Sequence, residues 1–273
     1  MKSVKGKTVL ITGAAMGMGK MFAQRAVAED AARVVLWDIN AELLAATAAE
    51  LKRSGGNVVE YAVDVSDLDA IQAAAEKVRS EVGTIEVLFN NAGIVRGNAY
   101  FWETDSRRDT ETTMKVNALA PMWVAREFLP AMIDSGKECR VVNLASAAGF
   151  VANPRMASYA GSKWAAIGWS DSVRVELDQA GHRQVKVTTV CPYYVKTGMF
   201  DGAKPSLLTP LLEPEDVVNT AWKAMLRGTP FVVMPKSVHL SELLKGTMPV
   251  QMRDLIAGRL FGVHKSMTDF KGR

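Results

Sequence analysis

Short apolar, β-branched runs alternate with amphipathic helical stretches along most of this chain. The apolar runs predict strands over 8–12, 33–37, 58–63, 85–89, 140–144, 185–190 and 231–234. The stretches between them predict helices over 20–29, 41–54, 109–133 and 214–226, one from Ser66 or Asp67 to about Val82, and one after Pro154. Strands that alternate with helices indicate a parallel sheet covered on both faces and joined by right-handed crossovers. We therefore predict one α/β domain over residues 1–235, a doubly wound parallel sheet of about seven strands.

A glycine-rich turn follows the first predicted strand. Gly13, Gly17 and Gly19 stand between Thr12 and the first helix, in the spacing G-x-x-x-G-x-G. Glycines let a backbone approach a diphosphate closely, and the N-terminus of a helix offers unpaired N–H groups. The pattern therefore predicts the first half of a Rossmann-type dinucleotide-binding unit.

An acidic residue ends the second predicted strand. Asp38 lies about 20 residues beyond the glycines, where a carboxylate can accept hydrogen bonds from the adenosine ribose hydroxyls. A carboxylate there would also repel a 2′-phosphate, and the neighbouring Ala14, Ala15 and Ile39 carry no positive charge. The sequence thus predicts NAD rather than NADP as the cofactor. A compatible interpretation is that Asp38 caps the helix that starts near Ala41.

The stretch 143–166 contains three side chains suited to proton transfer. Ser146 follows the fifth predicted strand, whose carboxyl end borders the crevice where α/β proteins bind ligands. Tyr159 and Lys163 stand four residues apart on a predicted helix and therefore share one face. A hydroxyl, a phenol and an ammonium that meet in this crevice indicate proton transfer at a bound oxygen. The simplest alternative is an ordinary solvated helix face.

Composition limits the classes of cofactor and partner. The 273 residues are 48% hydrophobic and 23% charged, which is ordinary for a globular protein. Cys139 and Cys191 show neither metal-binding nor disulfide spacing, and the three histidines are scattered, so we predict no metal site. This use of cysteine suits a reducing cytoplasm.

Neither a membrane span nor a nucleic-acid surface is predicted. No apolar run reaches the roughly 18 residues of a transmembrane helix, and the first strand starts too early for a signal peptide. The net charge of +4 comes from the tail, which has seven Lys and Arg against three acidic residues from Lys236 onward. The rest of the chain is neutral, so we expect a cytoplasmic protein that binds no nucleic acid.

The tail itself, residues 236–273, predicts a basic helical extension. Met252, Leu255, Ile256 and Leu260 have the spacing of one helix face, and Lys and Arg flank this apolar stripe. Such a helix can pack over the pocket or against another subunit. It can also touch a membrane peripherally through a basic amphipathic surface, or stay disordered.

Five motifs, taken together, resemble the short-chain dehydrogenase/reductase family. They are TGAAMGMG (12–19), NNAG (90–93), Asn117, Ser146 and YAGSK (159–163), in the family's order and spacing over about residues 5–235. The region 146–231 is also similar to the hydroxysteroid and retinol dehydrogenase branch, in a soluble form. The resemblance implies an NAD-dependent oxidoreductase that interconverts an alcohol and its ketone, assembled as a homodimer or homotetramer.

The same resemblance implies a role for each candidate catalytic residue. Tyr159 would be the general acid/base, and Lys163 would hold the nicotinamide ribose. Ser146 would polarise the substrate oxygen, and Asn117 would complete a water-linked proton relay. Because free tyrosine has a pKa of about 10, we expect Lys163 and oxidised nicotinamide to lower the pKa of Tyr159 by about 2 to 3.

The cofactor contacts implied by the family are spread over the carboxyl ends of the predicted strands. They are Gly13, Ala15, Met16, Gly17, Met18, Gly19, Asp38, Ile39, Asp64, Val65, Asn91, Ala92, Gly93, Tyr159, Lys163, Pro192, Val195 and Thr197. One departure is that Tyr193 stands where the family has glycine after proline. This tyrosine puts an aromatic ring near the nicotinamide and the mouth of the pocket.

The predicted substrate pocket is apolar and aromatic. Its proposed residues are Ser146, Phe150, Met156, Tyr159, Tyr193, Tyr194 and Met199. The segments expected to line it are 94–102, 150–156 and 199–212, and their further apolar candidates are Tyr100, Phe101, Trp102, Phe200, Leu207, Leu208, Leu211 and Leu212. A lining with few polar groups fits a small lipophilic substrate, so a hydroxysteroid-like alcohol is the leading hypothesis.

Two alternatives stay open at this stage. A reductase of ketones or 3-oxoacyl thioesters would share the fold, but it would favour NADPH and a basic residue near Asp38. A non-catalytic dinucleotide-binding protein would need no intact catalytic set, whereas Tyr159 and Lys163 are both present.

Overall fold

The sheet has seven parallel strands. We describe residues 1–200, 202, 210–239 and 246–255 in a computed structural model. The strands are β1 (Thr8–Thr12), β2 (Arg33–Asp38), β3 (Val58–Ala62), β4 (Val87–Asn90), β5 (Cys139–Leu144), β6 (Val185–Pro192) and β7 (Phe231–Met234). Their order across the sheet is β3-β2-β1-β4-β5-β6-β7, and every neighbouring pair is parallel. The predicted doubly wound sheet of a single α/β domain is confirmed.

Helices connect the strands and cover the sheet. They are α1 (Gly17–Ala28), α2 (Ala41–Arg53), α3 (Leu68–Glu81), α4 (Thr112–Met114), α5 (Ala120–Asp134), α6 (Ala157–Gln179), α7 (Pro214–Arg227) and α8 (Val250–Leu255). Two π-helical segments, Ser106–Glu111 before α4 and Lys115–Leu119 between α4 and α5, complete one continuous helical run. The helix predicted from residue 20 in fact begins at Gly17, because the glycines themselves form its first turn.

Apolar side chains fill both faces of the sheet. On one face the rings of Phe22, Phe89 and Trp222 stack, with Phe22 and Phe89 centroids 4.5 Å apart and Phe89 and Trp222 centroids 5.6 Å apart. On the other face Trp37 of β2 packs against Phe128 of α5. Strands buried on both sides explain why the predicted strands are continuous apolar runs rather than alternating ones.

The direction of winding reverses beside β1. This strand pairs with β2 on one side and with β4 on the other, so the segments that follow β1 and β4 leave the sheet next to each other. Parallel α/β sheets bind ligands in the crevice at this switch point. The glycine-rich turn and the segment Asn90–Gly93 therefore meet at one edge of the sheet.

Part of the predicted tail lies outside the described residues. The helix α8 contains Met252 and Leu255, and both side chains are exposed. Ile256 and Leu260 of the predicted stripe lie outside the described residues, as do the pocket candidates Leu207 and Leu208. Within the described ranges, no helix is long and apolar enough to cross a membrane.

The aromatic stack predicts a large effect of truncation. Phe22 is fully buried between α1 and the sheet, so Phe22→Ala removes apolar burial and leaves a cavity. We expect the free energy of unfolding to fall by about 3 to 5 kcal/mol, as measured by urea denaturation. The matched control is Phe101→Ala, because Phe101 is 58% exposed. A change within about 0.5 kcal/mol is expected there, and equal losses in both variants would contradict the assignment of the core.

Candidate active site

The turn after β1 is built around two close backbone approaches. Gly13 has a φ of +65°, and a Cβ atom there would come within 2.9 Å of the Ala92 Cα. A Cβ atom on Gly19 would collide with the carbonyl oxygen of Gly13. The Asn91 amide spans this junction, since its Nδ2 donates to the carbonyl oxygens of Thr12 at 3.0 Å and Gly13 at 3.1 Å. Glycine is therefore required where β1, α1 and the β4 exit meet.

The first turn of α1 can receive an anion. Helix α1 starts at Gly17, its N-cap Met16 makes no capping side-chain hydrogen bond, and its first turn contains no acidic residue. The N–H groups at such a helix start lack intrahelical partners and lie at the positive end of the helix dipole. Met18 also lines the neighbouring cavity. This end of the helix fits a dinucleotide diphosphate.

Asp38 ends β2 beside the same turn. Its Oδ2 accepts the Ala15 N–H at 2.9 Å, and its Oδ1 accepts the Asn40 N–H at 3.0 Å. Helix α2 is capped by the side chain of Asn40, which accepts the Leu43 N–H, so the interpretation of Asp38 as the helix cap is wrong. A carboxylate has about four acceptor positions, so Asp38 keeps capacity for ribose hydroxyls.

The remaining predicted cofactor contacts follow the other strands. Asp64 and Val65 follow β3, and the Asp64 carboxylate accepts the Ser66 N–H at 2.8 Å. The exposed Ile39 follows β2 directly. Other predicted contacts line one cavity at the ends of β4 and β6; they are Asn91, Gly93, Pro192, Val195 and Thr197. All of these residues therefore lie at the carboxyl edge of the sheet.

The three candidate proton-transfer residues lie in that cavity. Tyr159 and Lys163 project from α6, and the Lys163 Nζ is 5.8 Å from the centre of the Tyr159 ring. Lys163 donates to the carbonyl oxygen of Leu144 at 2.9 Å, at the end of β5. Ser146 accepts the Ala148 N–H at 3.1 Å, donates to the Pro192 carbonyl oxygen at 3.4 Å, and lines the same cavity as Tyr159. These contacts exclude the ordinary solvated helix face.

Burial controls the protonation of both α6 groups. Tyr159 and Lys163 are only 4% and 5% exposed. Burial raises the pKa of Tyr159 to about 12, and the hydrogen bond with Ser146 opposes this rise only in part. Burial lowers the pKa of Lys163 to about 8. The expected depression of the phenol pKa is therefore not a property of the protein alone, because desolvation outweighs the lowering effect of Ser146.

Asn117 connects the cavity to α6 through its side chain. Its Oδ1 accepts the Ile94 N–H and its Nδ2 donates to the Ile94 carbonyl, each at 2.9 Å. The same Nδ2 lies 3.2 Å from the Ser162 hydroxyl, which donates to the Tyr159 carbonyl. Asn117 sits in the π-helical segment Lys115–Leu119. The site therefore joins the β4 exit, the π-helical segment and α6.

Aromatic rings cluster beside the proton-transfer groups. Tyr193 packs on Tyr194 with centroids 4.4 Å apart, and Tyr194 packs on Phe200 at 5.1 Å. Phe200 meets the Tyr159 ring edge-on at 6.1 Å. Among the predicted pocket residues, Ser146, Tyr159, Tyr193 and Met199 line the cavity.

Three predicted pocket residues do not line this cavity. Met156 is 1% exposed and contacts the Tyr194 hydroxyl through its sulfur, Phe150 packs towards Phe231, and Tyr194 lies behind Tyr193 and Phe200. They belong to the apolar cluster around the site and not to its surface. The wider candidates Tyr100, Phe101 and Trp102 are exposed at the surface.

Sequence reasoning also missed part of the lining. Leu144 and Ala145 form one wall, although they look like ordinary strand-end residues. Their position directly before Ser146 was the available signal. Ile94, which begins the segment 94–102 that was predicted to line the pocket, does line it next to the amide of Asn117.

A diphosphate cradle next to a buried serine, tyrosine and lysine defines a dinucleotide-dependent oxidoreductase. The family model described as short chain dehydrogenase matches residues 7–207. The chain belongs to the short-chain dehydrogenase/reductase family and is a dehydrogenase that acts on CH–OH groups.

Named relatives place the chain in one branch of that family. Estradiol 17-beta-dehydrogenase 11 of Pongo abelii is 39% identical over 248 residues, which are 91% of this chain and 81% of that protein. Epidermal retinol dehydrogenase 2 of Homo sapiens is 38% identical over 275 residues, covering 98% of this chain and 86% of that protein. The chain thus belongs to the hydroxysteroid and retinol dehydrogenase branch.

Solved structures show the fold with either form of the cofactor. A short-chain dehydrogenase/reductase from Burkholderia phymatum in complex with NAD superposes with a TM-score of 0.82 at 26% identity, covering 90% of this chain and 95% of that one. A metagenomic short-chain oxidoreductase in complex with NADP gives 0.71 at 29% identity, covering 84% and 95%. Dinucleotide binding is therefore common to these neighbours, and both phosphorylation states occur.

The burial of Lys163 predicts an unusual titration. With its pKa at about 8, the ammonium is charged at neutral pH and loses its proton in mildly basic solution, before the ordinary lysines do. We expect one lysine Cε resonance of the cofactor-free enzyme to titrate near this value in a carbon NMR titration from about pH 6 to about pH 10. That resonance should be missing in Lys163→Met. If every lysine titrates with an ordinary pKa, Lys163 is not desolvated.

Proposed function

We propose that this dehydrogenase interconverts a lipophilic secondary alcohol and its ketone with NAD, and that a hydroxysteroid-like molecule is its substrate. The observation that carries the proposal is that the polar proton-transfer groups and the apolar side chains line the same cavity. Tyr159 and Ser146 line one cavity together with Tyr193 and Met199, and Phe200 meets the Tyr159 ring edge-on. The reacting oxygen of a substrate would therefore meet polar groups, while the rest of the substrate meets apolar ones.

Each polar group has a distinct task in this proposal. The nicotinamide of bound cofactor supplies the hydride acceptor or donor. Ser146 donates a hydrogen bond to the substrate oxygen and polarises it. Tyr159 takes the proton from the alcohol oxygen during oxidation and returns one during reduction. Lys163 supplies positive charge and holds the nicotinamide ribose.

The raised pKa of Tyr159 favours the protonated phenol, whereas alcohol oxidation needs the phenolate. A phenol with a pKa of about 12 is protonated at neutral pH, so it is ready to donate a proton to a ketone oxygen. Alcohol oxidation needs the phenolate, and positive charge in the cavity favours that form. The Lys163 Nζ lies 5.8 Å from the centre of the ring, and Asn117 donates to Ser162 on the helix that carries both groups. We propose that Asn117 also completes a water-linked proton path to Lys163.

The choice of NAD rests on the carboxylate at the end of β2. Asp38 would accept the ribose hydroxyls, and its negative charge would repel a 2′-phosphate. Ala15 and Ile39, which flank this position, bring no positive charge. The NAD-bound and the NADP-bound neighbours share this fold, so we propose that local residues and not the fold select between NAD and NADP.

We propose a homodimer or homotetramer in the cytoplasm as the working state. One face of α6 carries Trp164 and Val175, which are 45% and 39% exposed. Gly161 and Gly168 lie on the same face, where an added Cβ atom would meet open space. Flat, partly apolar helix faces suit subunit contacts. The two cysteines are buried thiols, which suits a reducing compartment.

Removal of the phenol hydroxyl tests the catalytic assignment. Tyr159→Phe keeps the ring packing but removes the acid/base, so kcat should fall by about 10²- to 10⁴-fold. The Kd for NAD, measured by calorimetry, should change little, because the variant keeps the ring and removes only the hydroxyl that transfers the proton. Tyr194→Phe is the matched control, since Tyr194 lies behind the cavity wall. A comparable loss of kcat in both variants would contradict the role of Tyr159.

A substrate panel tests the proposed activity directly. Steroids, retinoids, fatty alcohols and polyols are offered with NAD or NADP, and cofactor reduction is followed by absorbance. We expect turnover of lipophilic secondary alcohols with NAD. Turnover confined to polyols, confined to NADP, or confined to the reduction of 3-oxoacyl thioesters would sink the proposal.

Neutralising Asp38 tests the cofactor preference. Asp38→Asn keeps an acceptor oxygen for the Ala15 N–H and removes the charge that repels a 2′-phosphate. The ratio of kcat/KM for NAD over NADP should fall by about tenfold. Asp64→Asn, at the next strand end, should leave this ratio within about twofold. An unchanged ratio in Asp38→Asn would show that another residue selects the cofactor.

A further inference from the structure

A buried hydroxyl on α2 points at the glycine-rich turn. Thr47 is 3% exposed, and its neighbours on the inner face of α2 are the apolar Leu44, Ala48 and Leu51. Its Oγ1 donates to the carbonyl oxygen of Ala15 at 2.8 Å. A helical threonine often bonds a carbonyl of its own helix, four residues back. Here the hydroxyl instead donates to a carbonyl outside its own helix, in the glycine-rich turn.

The residue that Thr47 holds is fixed from both sides. The N–H of Ala15 donates to the Asp38 carboxylate at 2.9 Å, while its carbonyl accepts from Thr47. The preceding N–H, of Ala14, donates to the Trp37 carbonyl at 3.1 Å. Both peptide groups of Ala15 are therefore tied to β2 and α2.

The orientation of the next peptide follows from this arrangement. In a planar trans peptide the carbonyl and the following N–H point in opposite directions. Because the Ala15 carbonyl points at Thr47, the Met16 N–H points away from α2. Met16 is the N-cap of α1, the helix whose start fits a diphosphate.

We propose that Thr47 is a positioning residue for the cofactor. It holds the Ala15–Met16 peptide so that the Met16 N–H and the Asp38 carboxylate are arranged to bind the adenosine diphosphate half of NAD. The inference rests on the proposed function only in requiring that the chain binds a nicotinamide dinucleotide. The nature of the alcohol substrate does not enter it.

The loss of this hydroxyl has a defined expected effect. Thr47→Val keeps the shape of the side chain but leaves the buried Ala15 carbonyl without its donor. We expect the turn to move until that carbonyl finds another donor. The Met16 N–H then no longer points towards the cofactor. We expect the Kd for ADP-ribose and for NAD to rise by about three- to tenfold, the range for one buried neutral hydrogen bond.

The experiment is calorimetric titration of ADP-ribose into the cofactor-free full chain. Thr47→Ser retains the hydroxyl and should bind ADP-ribose within about twofold of the unchanged protein. Thr188→Val is the matched control, because Thr188 is fully buried in β6 and its hydroxyl has no hydrogen-bond partner among the described residues. With saturating NAD, kcat of Thr47→Val should stay within about twofold, so that only KM for NAD rises.

The outcomes separate this inference from the proposed function. A Thr47→Val protein that binds ADP-ribose like the unchanged protein overturns the positioning role. So does a Thr47→Ser protein that binds as weakly as Thr47→Val, or an equal weakening in Thr188→Val. If Thr47→Val does not fold, Thr47→Ser and Thr47→Cys are compared, and equal affinity overturns the inference, because a thiol is a much weaker donor. Failure of the substrate panel with intact ADP-ribose binding would count against the proposed function alone.

Discussion

Burial of an ammonium and a phenol side by side is the constraint on which the candidate active site depends. Removing Lys163 and Tyr159 from water disfavours the charged form of each, so their pKa values move in opposite directions. Among the described residues, dipoles offset this cost: the Leu144 carbonyl accepts from the ammonium, and the Ser146 hydroxyl lowers the pKa of the phenol. Both dipoles come from the end of β5. The site therefore exists only when the sheet and α6 are packed together.

The parallel sheet brings the two halves of the site to one edge. Because β1 lies between β2 and β4, the turn that follows it can touch both Asp38 and Asn91. The close approach of Gly13 to Ala92 requires the absence of a side chain at this junction. Thr47 extends the same junction to α2. The start of α1 is thus held by three neighbours before any ligand contributes.

The local pattern predicted the elements well for a physical reason. Strands buried on both faces must be continuous apolar runs, and β1 and β7 were predicted with their observed bounds. The start of α1 was misplaced because glycine is usually a poor helix former, and here it was needed for close packing instead. The π-helical segments before α5 carry no signal in apolar periodicity, although one of them holds Asn117 against α6.

The pocket lining was harder to predict than the chemistry. Sequence shows that Phe150 and Met156 are apolar, but not whether each side chain faces a ligand or the core. Packing decided this, with Met156 turned towards Tyr194 and Phe150 towards Phe231. Leu144 lines the cavity because β5 ends there, beside the site.

The sequence by itself determined the fold class, the glycine cradle, the acidic end of β2 and the spacing of Tyr159 and Lys163. Periodicity and residue type are enough for these features, because each depends on local geometry. Only the tertiary structure decided which aromatic rings face the cavity, which hydroxyl holds the Ala15 carbonyl, and how far each pKa moves. These properties depend on distance and desolvation between segments far apart in the chain, and a linear sequence does not contain them.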